Sequence, residues 1–357
     1  MMNTSQKLIA LLSGAALLSV SSLAAQTATT APVGYVTEDV PAHGGTGATL
    51  SLHSLPLKEA KAISGVTTDV TGTDLTVAGA DFGVEAGLPD FASVDANNSP
   101  LYYVEVSDGA LVGLRVDITG VVGPTLTLAE DVDLLDDVTA FSIKKYWTLE
   151  DIFGTIGEDS DLKASGDIGD VDLILVSDNA GGFDQYYLYQ APVFLGGAIN
   201  WAKVGQATSS VKATSRIPDD TLLIQRVGAT VRAASTFTNM GEVKVGAAKA
   251  PVFQGVNLVS FSYPVGTTLG ASGLETSGLT PNGDVALADK VLVTSGGVFR
   301  QFYLYQAPVF LGGAISWAEV GQPSTSDKAT VTLDGPALIL RIDATSINWA
   351  QTQPYTL

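Results

Sequence analysis

From Val33 onward the chain is a succession of short apolar–polar runs, punctuated every few residues by Gly, Pro, Asp or Asn. Thr125 to Leu128 alternates as a strand with one buried face does, and Thr71 to Val77 carries the same pattern. Leu101 to Val106 and Leu114 to Thr119 flank Ser107-Asp108-Gly109, the pattern of two strands around an Asp-Gly turn. Tyr186 to Tyr189 is bulky on both faces and ends before Pro192; Gly196-Gly197 then turns the chain into the strand that carries Trp201. One helix is predicted, from Leu149 to Ile156, because Thr148 and Asp151 have the spacing of a capping box. Many short strands between turn signals predict an all-β protein of β-sandwich or open-barrel type.

One stretch recurs. Gln185 to Gln206 and Gln301 to Gln322 differ at only three of 22 positions, Tyr186/Phe302, Asn200/Ser316 and Lys203/Glu319. They lie 116 residues apart, a domain-sized spacing well beyond that of solenoid repeats. The match extends to Gly166-Asp167 and Asp172 against Gly283-Asp284 and Asp289. Downstream, Lys212-Ala213-Thr214 matches Lys328-Ala329-Thr330, and Leu222-Leu223-Ile224 matches Leu338-Ile339-Leu340. A weaker frame joins Gly34-Tyr35-Val36 to Gly241-Glu242-Val243, and His53-Ser54-Leu55-Pro56 to Phe261-Ser262-Tyr263-Pro264. Thr268-Leu269 follows Pro264 quickly, whereas the matching Thr148-Leu149 trails Pro56 by a long interval, so a folded insertion is expected in the first copy. The expectation is two related β-sandwich-like domains from an internal duplication. The first comprises residues 26–57 and 146–240, interrupted by a small β-module at 58–145; the second comprises 241–357.

The beginning of the chain adds a location. Lys7 precedes an apolar run from Leu8 to Val20, and Ser22-Leu23-Ala24 provides a small-x-small cleavage pattern. That run is too short to span a bilayer and fits a signal peptide over residues 1–25. Export to the extracellular space, cell surface or periplasm of a Gram-negative-type bacterium is therefore expected, with no transmembrane helix after cleavage. Cysteine is absent, which excludes disulfides, thiolate metal sites and a lipidated cysteine. A formal charge of −19 disfavours nucleic acid as a partner.

The Pro32-Val33-Gly34-Tyr35-Val36-Thr37 start, the Gly255 to Ser260 element, the Ala288 to Val293 strand and the Phe302 to Trp317 segment carry a resemblance. Together they resemble a poorly characterised family of secreted all-β proteins known mainly from Verrucomicrobia-like bacteria. The resemblance implies export and a β-fold, and supplies neither an activity nor site residues.

Chemistry is sparse. The two histidines, His43 and His53, accompany no G-x-S-x-G elbow, and His53 aligns with an apolar Phe261, so a hydrolase is not expected. Asp167, Asp170 and Asp172 form the nearest thing to an oxygen-rich Ca²⁺ loop, without an EF-hand pattern; otherwise no cofactor is expected. Tyr187, Tyr189 and Trp201, repeated as Tyr303, Tyr305 and Trp317, are candidate platforms for stacking on sugar rings. The expected function is a non-catalytic, exported structural or binding protein, with polysaccharide or other cell-surface components as partners. A glycan-binding protein is the first alternative and a porin-like outer-membrane β-barrel the second.

Overall fold

A computed structural model describes residues 31–356 except 85–86, 110, 133–134, 136–138, 179–181, 209–211, 296–297, 323–326 and 334. The expected signal peptide lies outside the described residues. The unit from Val33 onward is nearly all antiparallel β-structure.

Two five-stranded sheets organise it. The first runs in the order β2 (Ala48–Ser54), β14 (Thr221–Val227), β11 (Asp172–Ser177), β12 (Phe183–Gln190), β13 (Ile199–Lys203). The second runs β17 (Gly255–Val259), β23 (Ala337–Arg341), β19 (Lys290–Ser295), β20 (Val298–Gln306), β21 (Ile315–Glu319). Strand for strand, the order is the same. Each sheet lies under an antiparallel ribbon: β1 (Val33–Val40) with β15 (Ser235–Val243), and β16 (Ala248–Val252) with β24 (Ile347–Gln351).

The alternation of each strand decides what the layers enclose. In β12, Tyr186 and Leu188 point inward with Ile174, Val176, Trp201, Leu222 and Ile224, closed by Val40 and Phe237 of the ribbon. In β20, Phe302 and Leu304 point inward with Val291, Val293, Trp317 and Ile339, closed by Val252 and Trp349. The opposite faces of the two sheets meet. Leu52 and Leu258, Leu223 and Leu338, and Phe183 and Phe299 occupy corresponding positions, and all six share one apolar cluster.

Two details of the sequence match are corrected by register. Cross-strand partners Ile174↔Ile224 and Val291↔Ile339 put Leu222 level with Ala337, one residue from its sequence match. A run of Leu and Ile slides by one without loss of type. The buried Asp289–Arg341 pair, 2.8 Å apart, corresponds to Asp172 beside Arg226 and fixes the register. By the same register His53 pairs with Leu222 and Val259 with Ala337, so His53 corresponds to Val259 and not to Phe261. Gly34 and Gly241, matched in sequence, face each other across one ribbon. Gly241 is glycine for a steric reason of its own: a Cβ there would lie 2.3 Å from the Lys58 carbonyl oxygen, whereas one on Gly34 would meet the Val243 side chain at an ordinary 3.5 Å. Residue 241 thus falls inside β15, and the second ribbon begins at Ala248.

Residues 63–145 hold a separate seven-stranded sheet in the order β4 (Ile63–Val66), β10 (Ala140–Lys145), β7 (Tyr102–Val106), β8 (Arg115–Val122), β9 (Thr125–Leu128), β6 (Asp74–Thr76), β5 (Asp69–Thr71). Its core is its own, built on Leu75, Phe91, Val104, Ile118, Leu126, Phe141 and Ile143. The module's two ends are neighbours: the Trp147 indole N–H donates to the Leu57 carbonyl at 2.9 Å, beside β3 (Leu57–Lys58). The strand predicted over Thr71 to Val77 is instead the β5–β6 hairpin, because Gly72 takes a left-handed φ of 61°. Thr148 and Asp151 form the predicted capping box, and helix α1 (Leu149–Phe153) stops short of Ile156 at Gly154, φ 84°.

Candidate functional site

The hairpins joining β12 to β13 and β20 to β21 carry the most exposed apolar side chains of the described chain. Each begins as a strand ladder continued by one bond, Ala191 N–H to Ala198 O at 2.8 Å and Ala307 N–H to Ala314 O at 2.9 Å. Pro192 and Pro308 then leave the strand, and Val193–Leu195 and Val309–Leu311 form single 3₁₀ turns. Gly196 (φ 95°) and Gly312 (φ 97°) end the turns in the left-handed region that favours glycine. Leu195, Gly196 and Gly197 donate backwards within the turn to Pro192, Val193 and Pro192, and Leu311, Gly312 and Gly313 do the same.

This backbone leaves three consecutive apolar side chains with nothing to pack on. Val193, Phe194 and Leu195 are 88%, 85% and 67% exposed; Val309, Phe310 and Leu311 are 89%, 85% and 66% exposed. Isolated surface leucines are ordinary, but an exposed run of this kind is retained in folded proteins where it meets something. The same geometry occurs twice. Sequence reasoning passed over it because the repeat reads as a strand followed by a Gly-Gly turn. The signal was there nonetheless: Pro before and Gly-Gly after confine Val-Phe-Leu to a turn, where no alternation can deliver all three to a core.

The residues chosen as sugar platforms lie elsewhere in the packing. Trp201 and Trp317 are 0% and 1% exposed at the centres of the two cores, so no sugar ring reaches them. Tyr187 and Tyr303 are buried as well, on the sheet faces turned away from the ribbons, and Tyr189 and Tyr305 are half-exposed. The two indoles differ in one respect: Trp201 donates to the Gly154 carbonyl at 3.0 Å, whereas the Trp317 Nε1 has no acceptor among the described residues.

The proposed Ca²⁺ carboxylates are already committed. Asp167 caps a 3₁₀ turn through the Gly169 N–H, Asp170 pairs with Lys163, and the buried Asp172 pairs with Arg232 beside Arg226. Among the described residues no cluster of three or more acidic or histidine side chains is placed to hold a metal.

Ser51, His53 and Glu38 do line up: Ser51 Oγ lies 2.7 Å from His53 Nε2, and His53 Nδ1 lies 3.3 Å from Glu38 Oε2. The order is that of nucleophile, base and orienting acid. Yet His53 is buried edge-on against Phe237, 5.2 Å between ring centroids, and the chain of contacts ties β2 to β1 inside the first core.

A cavity of about 310 Å³ opens where the inserted sheet, the first sheet and the second ribbon converge. Four of its charged lining residues are engaged in ion pairs. Asp220 accepts from Lys58 and Arg115, each at 2.5 Å, and Arg216 donates to Asp117 at 2.8 Å while lying over the Tyr146 ring. Burial, reinforced by Arg115 and only partly offset by Asp220, lowers Lys58 to about 8. Burial raises the neighbouring Asp219 to about 6. The Arg115–Asp220 and Arg216–Asp117 pairs join the module to its host, and Glu130, Asp219 and Lys249 complete the charged lining.

No protein family, curated protein or solved structure matches the chain. No described helix is long and apolar enough to cross a membrane.

Proposed function

We propose that this is an exported, non-catalytic protein of the bacterial cell envelope that binds through the two Val-Phe-Leu tips. The observation that carries the reading is the repetition of one fully exposed apolar turn, with the same Pro and Gly dihedrals, on two separate sheets. A β-sheet hairpin fixed by its own hydrogen bonds presents these side chains without having to order them on contact. The internal duplication then has a functional reading, as two equal contacts on one rigid body. The signal-like start and the family resemblance support export, and the acidic surface supports a partner other than nucleic acid.

Glycan binding is the lesser reading, resting on half-exposed Tyr189 and Tyr305. A porin-like barrel is disfavoured because, among the described residues, each sheet runs between two unpaired edge strands and none closes on itself.

Fractionation of host cells with surface proteolysis tests the main reading. The protein is expected in the envelope fraction, and Phe194→Ser with Phe310→Ser is expected to release it to the soluble fraction. Retention of the double variant would sink the assignment of the tips. The full chain is also expected to leave an activated ester intact and to remain unlabelled by a fluorophosphonate probe; labelling lost in Ser51→Ala would overturn the non-catalytic reading.

A further inference from the structure

We infer that the two tips are shallow lipid anchors that seat the molecule on an uncharged membrane surface, an inference that rests on the tips being its contact surface. What favours lipid over a protein socket is the absence of charge. The backbone suits a shallow seat only: the N–H groups of the Leu, both Gly and the leading Ala are bonded inside each hairpin, while those of Val193, Phe194, Val309 and Phe310 have no partner among the described residues and stay at the hydrated headgroup level.

No charged residue occurs from Gln185 to Ala202 or from Gln301 to Ala318, in a chain whose net charge is −19. The flanks of both tips are therefore cheap to bring to a neutral interface, while the rest of the molecule is repelled by anionic headgroups.

The test uses full-length mature protein and vesicles of phosphatidylcholine, with co-sedimentation as the readout. Wild type is expected to sediment with the vesicles. Phe194→Ser and Phe310→Ser singly should each weaken partitioning by about tenfold, and together by about 100-fold. Mixing in phosphatidylglycerol should weaken binding, and should do so less at high salt. Phe194→Trp should show a blue-shifted emission on vesicle addition. Far-UV spectra of every variant should overlay wild type, since neither Phe supports a core.

Failure of wild type to sediment, or equal sedimentation of wild type and double variant, overturns the lipid anchor. If vesicle binding fails while the double variant still leaves the cell envelope, the tips remain the contact surface and their partner is a protein. If instead wild type is dimeric in sedimentation velocity and the double variant monomeric, the tips bind a second copy, which also overturns the lipid anchor.

Discussion

Trp201 and Phe194 stand seven residues apart in one hairpin and have opposite roles, which mutation should separate. Trp201→Ala removes a fully buried indole and its bond to the Gly154 carbonyl, and should cost about 3–5 kcal/mol in urea unfolding. Phe194→Ser should stay within about 0.5 kcal/mol of wild type in the same measurement. Titration is equally local. Burial raises Asp219 to about 6, so the fold favours its protonated form. That stabilisation is complete below the ordinary carboxylate range and is lost as pH climbs through about 6. Asp219→Asn should therefore flatten the stability profile between about pH 4 and 6 by no more than about 2 kcal/mol, given the group's partial exposure. Glu105 behaves in the opposite sense. Burial alone would raise it, but Lys244, Lys144 and Arg115 prevail and bring it down to about 2. Its contribution is present above the usual Glu value and disappears as pH falls toward 2, a loss that Glu105→Gln should abolish.

At the scale of single elements, the sequence was readable where a local rule was strong. The Thr148–Asp151 box placed α1, and alternation placed β9 to the residue. It was misread where one residue type served two ends. Gly72 makes a turn inside what scans as a continuous strand, and Gly34 and Gly241 resemble each other because they oppose each other. Trp201, Trp317, Tyr187 and Tyr303 are unavailable as platforms for a related reason: β12 is bulky on both faces because both faces are covered, one by a ribbon and one by the other sheet. Composition cannot distinguish a ring awaiting a ligand from a ring between two layers. The tips themselves yield a prediction at this scale. Gly196→Ala and Gly312→Ala meet no neighbouring atom within 4 Å but force a side chain into left-handed backbone. Each should lower stability by about 1 kcal/mol, and in the lipid assay each should also weaken partitioning, because the turn that projects Phe is reshaped.

At the scale of the molecule, three apolar cores are joined by two kinds of interface. The inserted sheet is bound by ion pairs, Arg115 on Asp220 at 2.5 Å, Arg216 on Asp117 at 2.8 Å and Lys244 on Glu105 at 2.6 Å. The two five-stranded sheets are bound by leucines. A fragment of residues 31–245 would expose Leu52, Leu173, Leu175 and Leu223 on one sheet face. It should bind a hydrophobic dye and self-associate in light scattering, where the full chain does neither. Because Leu52 and Leu223 share one cluster with their counterparts Leu258 and Leu338, each repeat buries the same sheet face. A contact of like with like is self-terminating: once two units have met, neither has that surface left to offer a third. An array built of this unit would have to advance in closed pairs, so the number of tips on a rigid body is fixed at two by the way the repeats embrace.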